Sequence, residues 1–513
     1  MQKIYVFTVF IAIILTGCHK DVVTVVKTSP PTVIPLSVSS LFQNNMVVQR
    51  DKPVAIWGQA STNTVVTISL SWNTTAIKAA ADAEGTWMAS IPASPVNNNP
   101  QTITVKATGA SPITITNVLI GDVWVCSGQS NMVMPLDTMS PFDGVTNYQQ
   151  EIAAANYPSI RVLTIPEDHE ALPLTNLGNP VQWIVCSPAT AGSVSAVAYY
   201  FAQKLNTTLN VPVGIIVSAV NGSYCQDWTN VEAIENNPTL SQAYLSGSST
   251  LYNGMINPLI NLTIKGFTWY QGENNEADSP VSNYTLLNAA LIAGWRSKFN
   301  GASLPFYYVQ ITPFLVDYTE TNQPGSDTTS DNLAIFREAQ ANMRSITTGT
   351  GMVVTMDVGD PANHHPPDKK PVGLRLADLA LNYTYTQNVQ CVGPQFASWS
   401  ANGSTATVNY VPGTANGLTT AGNAALKQYF FVAGTDEVLR EGKAVINGNT
   451  VVITAPAGTP LPIETVRYAF TNGPITNLQN SAGLPAEPFR TDSWTELMAG
   501  PPDHEPDLPF KVK

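Results

Sequence analysis

The feature that most restricts this chain is a set of apolar runs that do not alternate with polar residues: NVLIGDVWVC (117–126), VPVGIIVSAV (211–220), IKGFTWY (264–270), LPFYYVQIT (304–312) and GMVVTMDV (351–358). A strand with one wet face alternates with period two, whereas a run apolar throughout is a strand covered on both faces, the condition of a parallel sheet. Helical segments lie between the runs: SAVAYYFAQKLN (195–206), YTLLNAALIAGWRSKF (284–299) and VGLRLADLALNY (372–383). In the second of these, Leu287, Leu291, Trp295 and Phe299 recur every four residues and share one face. Buried strand followed by amphipathic helix predicts an α/β domain over residues 117–386, with a parallel sheet flanked by helices.

The chain has 513 residues, more than one hydrophobic core usually organises, and its flanks read differently from its middle. Residues 37–116 hold short β-branched runs such as TVVTISLSW (64–72) and QTITVKAT (101–108) between Asn, Gly and Pro clusters, which predicts an N-terminal all-β domain. The same pattern returns over 387–494 in ATVNYV (406–411), YFFVAG (429–434), NTVVITA (449–455) and TVRYAF (465–470), predicting a C-terminal β-sandwich. Residues 495–513 form a tail rich in proline and acid.

At the start, Lys3 precedes an apolar run from Ile4 to Leu15, too short for a membrane span and suited to an export signal over 1–17. Its ending, Leu15-Thr16-Gly17-Cys18, resembles a bacterial lipobox, so Cys18 is the expected lipidation site and 18–36 an extended tether. An exported lipoprotein of the periplasm, outer membrane or cell surface is expected, touching membrane only through that anchor. The remaining cysteines, Cys126, Cys186, Cys225 and Cys391, match no zinc or redox spacing, and free buried thiols are expected. The net charge of −12 and the absence of a Lys/Arg run argue against a nucleic-acid partner. Oligomeric state is not legible.

Ligands of an open parallel sheet bind beyond the carboxyl ends of its strands. Those ends read Ser127-Gly128-Gln129-Ser130-Asn131-Met132, Asn221-Gly222-Ser223, Gln271-Gly272-Glu273-Asn274-Asn275 and Gly359-Asp360-Pro361-Ala362-Asn363-His364-His365-Pro366. Together they hold what acyl transfer needs: a serine hydroxyl, a base to take its proton and donors for the negative oxygen of a tetrahedral intermediate. Ser130, in a glycine-containing turn at a helix start, is the candidate nucleophile. The backbone N–H of Gly222 and a side-chain amide of Gln271 or Asn274 are candidate donors. Of the five histidines, His19 lies on the tether, His504 in the tail and His169 in a polar loop, whereas the pair His364 and His365 follows a buried run. Adjacent side chains point apart and no Cys/His/carboxylate set completes a shell, so neither metal nor cofactor is expected. A strand-end serine by itself more often caps a turn; the four ends in combination carry the reading.

The motifs also resemble a known family. GDVWVCSGQSNM (121–132), LYNGMINPLI (251–260), GFTWYQGENN (266–275), FREAQ (336–340), GDPANHHPPDKKPVG (359–373) and LPAEPFRTDSW (484–494) are similar, in this order, to blocks of the sialate O-acetylesterase family, a branch of the SGNH hydrolases. LFQNNMVVQRDKPVAIWGQA (41–60) resembles that family's N-terminal β domain. The resemblance implies an SGNH-hydrolase-like sheet, a carbohydrate O-acetylesterase working through an acetyl-serine intermediate, and acetylated sugar as substrate. It implies Ser130 as nucleophile, His365 as base, and Gly222 and Gln271 beside the Ser130 N–H as oxyanion donors. SGNH enzymes commonly carry an aspartate three residues before the histidine, where this chain has Ala362. Asp360 is the nearest acid, with Asp357 and Glu273 farther away as supporting candidates, and a Ser-His dyad is the alternative. An acetylxylan or xyloglucan esterase and a catalytically silent carbohydrate-binding lipoprotein remain open.

Overall fold

A computed structural model describes residues 33–278, 280–315 and 332–494; the expected signal, Cys18 and the tail lie outside them. Its organising element is β1 (Ile113–Gly128), sixteen residues long. The first half of β1 pairs antiparallel with the strand Asn97–Ala107, and its second half enters the α/β layer. The border expected between residues 116 and 117 therefore falls inside a strand, at Asn117, which has φ +56°.

Around β1 stand β2 (Tyr157–Thr164), β3 (Trp183–Cys186), β4 (Val213–Ala219), β5 (Gly266–Tyr270), β6 (Phe306–Val309) and β7 (Thr350–Val353). They lie in the order β3-β2-β4-β1-β5-β6-β7. All neighbours run parallel except the edge strand β3, which is antiparallel to β2. Besides the short α1 (Ser130–Val133), the long helices are α2 (Ala196–Leu209), α3 (Asn283–Lys298), α4 (Asn332–Ile346) and α5 (Lys370–Tyr383). Trp124, Cys126 and Tyr270 join one core with α2 and α5, while Val125, Phe267 and Trp269 join another with α3 and α4. Successive side chains of one strand thus enter different cores, which is why these strands are apolar without alternation. Leu287, Leu291 and Trp295 are fully buried and Phe299 nearly so. Each such side chain contributes roughly 1.5–3 kcal/mol.

The segment 136–180, long and polar with no regular apolar period in its text, nevertheless holds β2 and a helix at Tyr148–Ala154. Arg161 in the middle of β2 interrupts its apolar text, yet it is buried, with its guanidinium donating to the carbonyls of Pro158 (2.8 Å) and Asn45 (3.1 Å). The segment 229–250 likewise holds helices at Val231–Glu235 and Pro238–Tyr244.

The N-terminal strands share the core of α3 and α4 through Leu41, Ile56 and Trp87. Toward the C-terminus, two four-stranded antiparallel sheets, one containing Thr405–Tyr410 and the other Phe430–Ala433, close around a core of Val408, Ile453, Phe430 and Val466. Cys126, Cys186, Cys225 and Cys391 are buried free thiols. Among the described residues no helix is long and apolar enough to cross a membrane, and no group of three or more His, Cys, Asp or Glu is placed to hold a metal.

Candidate active site

The end of β1 is shaped by a close approach. Gly128 has φ +143°, and a Cβ there would lie 2.0 Å from the carbonyl oxygen of Tyr270 at the end of β5. Only glycine fits, and the chain turns at once: Gln129 N–H donates to that oxygen (3.0 Å) and Ser130 opens α1. As the first helical residue, Ser130 has a backbone N–H that no carbonyl within the helix can take. Its side chain is nearly buried, at 6% exposure.

The loop after β7 brings His365, the residue expected as base. Asn363 Oδ1 accepts the His365 backbone N–H (2.8 Å), and His365 Nε2 lies 2.7 Å from Ser130 Oγ, a hydrogen bond between residues 235 apart in the chain. Phe142 stands edge-on to the imidazole at 5.1 Å, and the His364 ring is 4.1 Å away. Burial, then the neighbouring His364 and Lys369, push His365 down to about 3. It is therefore neutral at pH 7, with a lone pair able to accept a proton.

None of the acids named from sequence is hydrogen-bonded to His365. Asp360 Oδ1 accepts the N–H of Ala362 (2.9 Å) within its own turn, and no hydrogen bond joins it to His365. An aspartate two residues before an N–H closes an Asx turn more readily than it reaches a side chain five residues on. Asp357 forms a two-pronged pair with Arg375 (2.8 and 2.6 Å). Glu273 is buried beside Ser130, where its Oε1 accepts from Asn131 Nδ2 while burial holds its carboxyl above the usual range.

Gln271 is also displaced from its expected place. It is fully buried, its Nε2 donates to Asn275 Oδ1 (2.7 Å) and Ser223 O (3.2 Å), and its Oε1 accepts from Tyr284 (2.8 Å). This amide supports the walls of the site from behind. The amide that reaches the cleft is Asn274, whose Nδ2 donates to Gly222 O at 2.5 Å. Gly222 has φ +65°, the left-handed conformation that glycine adopts without strain. Gln129 Oε1 accepts from Gly272 N–H (3.1 Å), holding the β5 loop against the serine turn.

Ser130, Phe142, Gly222, Asn274, Phe314 and His365 line a cleft of about 420 Å³. Three of the four expected residues, at 130, 222 and 365, meet there. His169 is half exposed, bonded to Glu167 and Thr250 and apart from the cleft. Sequence reasoning missed Asn131 and Lys369. Asn131 bonds to Glu273, to His364 O (2.9 Å) and to Lys369 Nζ (2.7 Å). Lys369 belongs to a lysine pair that reads as surface; Lys370 is indeed half exposed and pairs with Glu151, but Lys369 is 1% exposed.

Comparison with known proteins agrees with this geometry. Residues 120–381 match the model of a carbohydrate esterase family described as sialic acid-specific acetylesterase. The sialate O-acetylesterase of Homo sapiens is 29% identical over 396 residues, covering 69% of this chain and 72% of that protein. The Rattus norvegicus sialate O-acetylesterase is also 29% identical, over 426 residues, covering 69% of this chain and 75% of that one. The crystal structure of a carbohydrate acetylesterase from Xanthomonas citri superposes with a TM-score of 0.80 at 31% identity, over 89% of this chain and 100% of that one. The Ser130 turn, the histidine loop and the β5 loop all fall within the matched region, and this chain belongs to the sialic acid-specific acetylesterase family of carbohydrate esterases.

Proposed function

We propose that the cleft hydrolyses acetyl esters on carbohydrates by a covalent acetyl-Ser130 mechanism, as a carbohydrate O-acetylesterase of the sialate O-acetylesterase kind. The observation that carries the assignment of roles is the 2.7 Å contact between Ser130 Oγ and His365 Nε2 at the mouth of a cleft. Ser130 Oγ attacks the acetyl carbonyl carbon while His365 Nε2 takes its proton, and the carbonyl oxygen becomes an oxyanion. The N–H groups of Ser130 and Gly222 and the amide of Asn274 receive that charge. Collapse breaks the bond to the sugar oxygen, which leaves with the proton from His365. Water, deprotonated by His365, then attacks the acetyl carbon and releases acetate.

The burial that keeps His365 neutral also makes its imidazolium costly, which favours passing the proton on to the leaving oxygen. An alkoxide is a better leaving group than an amide nitrogen, so a Ser-His pair without an orienting carboxylate suffices in this reading. The domain reading proposed with it is an SGNH-type hydrolase unit over 117–386 between β units at 37–116 and 387–494, held outside the cytoplasm by a lipid on Cys18.

Replacing Ser130 by Ala should lower acetate release from acetylated sugar and hydrolysis of p-nitrophenyl acetate by about 10⁴-fold or more, with an unchanged melting temperature. A fluorophosphonate probe should label the wild type at Ser130, whereas a silent binding protein has no activated serine to label. Undiminished turnover by Ser130→Ala would remove the serine from its role. Acetate release from O-acetylated sialic acid, set beside release from acetylated xylan, identifies the sugar.

A further inference from the structure

We infer that Lys369 is a positioning residue of this centre, clamping the turn that carries Ser130 to the loop that carries His365 by way of Asn131, and that its ammonium charge opposes the proton His365 must take up. The inference rests on the acyl-transfer reading above and adds a group that reading does not use.

Lys369 Nζ donates to Asn131 Oδ1 (2.7 Å) and to Pro366 O (2.5 Å). Asn131, the residue after the nucleophile, turns its own Nδ2 to His364 O (2.9 Å) and to Glu273 Oε1. One amide thus spans three segments that are distant in sequence, and the lysine donor at Oδ1, together with the two acceptors at Nδ2, fixes its orientation and ties it to Pro366 on the histidine loop. Both residues are buried, at 0% and 1% exposure, so each bond is formed away from competing water.

The surroundings of the ammonium are those of a charge weakly held. Its two acceptors are neutral, and no ion pair joins it to a carboxylate. The titratable groups around it are Glu273 on the β5 loop, Asp368, His364 and His365 on its own segment, and Tyr270 at the end of β5, whose ring lies 5.9 Å away. Glu273 and Asp368 favour its proton, but burial outweighs them and brings Lys369 down to about 7. A neutral amine still has two N–H groups for its two acceptors, so the clamp survives deprotonation while the charge facing His365 disappears. Its loss as pH rises through that value makes proton uptake by His365 easier, and the reaction faster.

The test is the pH dependence of kcat/KM for p-nitrophenyl acetate in the full-length protein, for the wild type, Lys369→Met and Lys369→Arg. The wild type should rise to a plateau through about pH 7. Lys369→Arg, charged at every pH, should stay low across the range. Lys369→Met should lose the limb near pH 7, with kcat reduced by about 10- to 100-fold and KM within about threefold, because a slackened clamp misplaces the base rather than the substrate. A purely structural lysine would lower activity and leave the limb where it was; that result, in either variant, overturns the inference. If Lys369→Met does not fold, Lys369→Gln, whose amide can still donate to Asn131, reads the same limb. Ser130→Ala measured alongside separates the two ideas: an active Ser130→Ala sinks the catalytic reading, whereas an inactive one beside an unmoved limb sinks only the role of Lys369.

Discussion

Adding one methyl group at Gly128 should disable the enzyme without touching any group that reacts. The Cβ of Gly128→Ala would stand 2.0 Å from Tyr270 O, 2.7 Å from its carbonyl carbon and 3.0 Å from its nitrogen, all backbone atoms that cannot rotate aside. Restoring an ordinary C···O separation of about 3.3 Å requires β1 and β5 to part by about 1.3 Å at this point. The displacement falls two residues from Ser130 and on the carbonyl that accepts Gln129 N–H, so it moves Ser130 Oγ relative to His365 Nε2. A misplacement of about 1 Å costs on the order of 100-fold in rate, and overpacking of this kind costs about 1–3 kcal/mol of stability. The assay is kcat/KM for p-nitrophenyl acetate with a urea unfolding curve. Gly109→Ala is the control, since Gly109 has φ +78° but nothing within 4 Å of its built Cβ. It should lose about 1–2 kcal/mol to the left-handed backbone and keep full activity. If Gly128→Ala retained more than half of wild-type kcat/KM, the close approach of β1 and β5 would not be what places Ser130.

Asp360→Asn should leave kcat/KM within about threefold, because an amide oxygen can accept the Ala362 N–H equally well, whereas an acid that oriented the histidine would cost about 10⁴-fold on this change; steady-state kinetics decide. Acid should loosen the C-terminal sheets through Asp492. Burial raises this carboxyl, but hydrogen bonds from Arg467, at 2.9 Å to each oxygen, bring it below its ordinary value on balance. The unfolded chain therefore binds its proton first, so the stabilisation is complete above about pH 4 and is lost as pH falls through the lower folded value. Asp492→Asn should weaken the protein at pH 7 by about 3–5 kcal/mol and flatten this acid limb, read from urea midpoints at pH 7 and pH 3; equal midpoints at pH 7 would refute it.

Helices α2, α3 and α5 and strands β1, β4, β5 and β6 were legible because their text is dictated by burial, and β7 takes up the start of its apolar run, whereas α4 and the edge strand β3 were not read from the sequence. β2 was not legible, since a buried arginine satisfied by three-dimensional contacts is indistinguishable in text from an exposed one. The site was legible in kind: the serine, glycine and histidine named at separate strand ends, Ser130, Gly222 and His365, line one cleft. Which amide faces the cleft was not, because Gln271 and Asn274 lie three residues apart in one turn and hydrogen bonds with Tyr284, Asn275 and Ser223 hold the Gln271 side chain inward.

Local text therefore carried the periodicities, the strand-end residue types and the family resemblance, because each depends on neighbours along the chain or on the burial of a whole face. Tertiary structure alone decided that Asp357 pairs with Arg375, that Gln271 turns inward, and that Lys369 rather than Lys370 enters the interior. Hydrogen bonds and desolvation act over a few ångströms in space, so the choice among chemically similar residues belongs to whichever one the fold brings within reach.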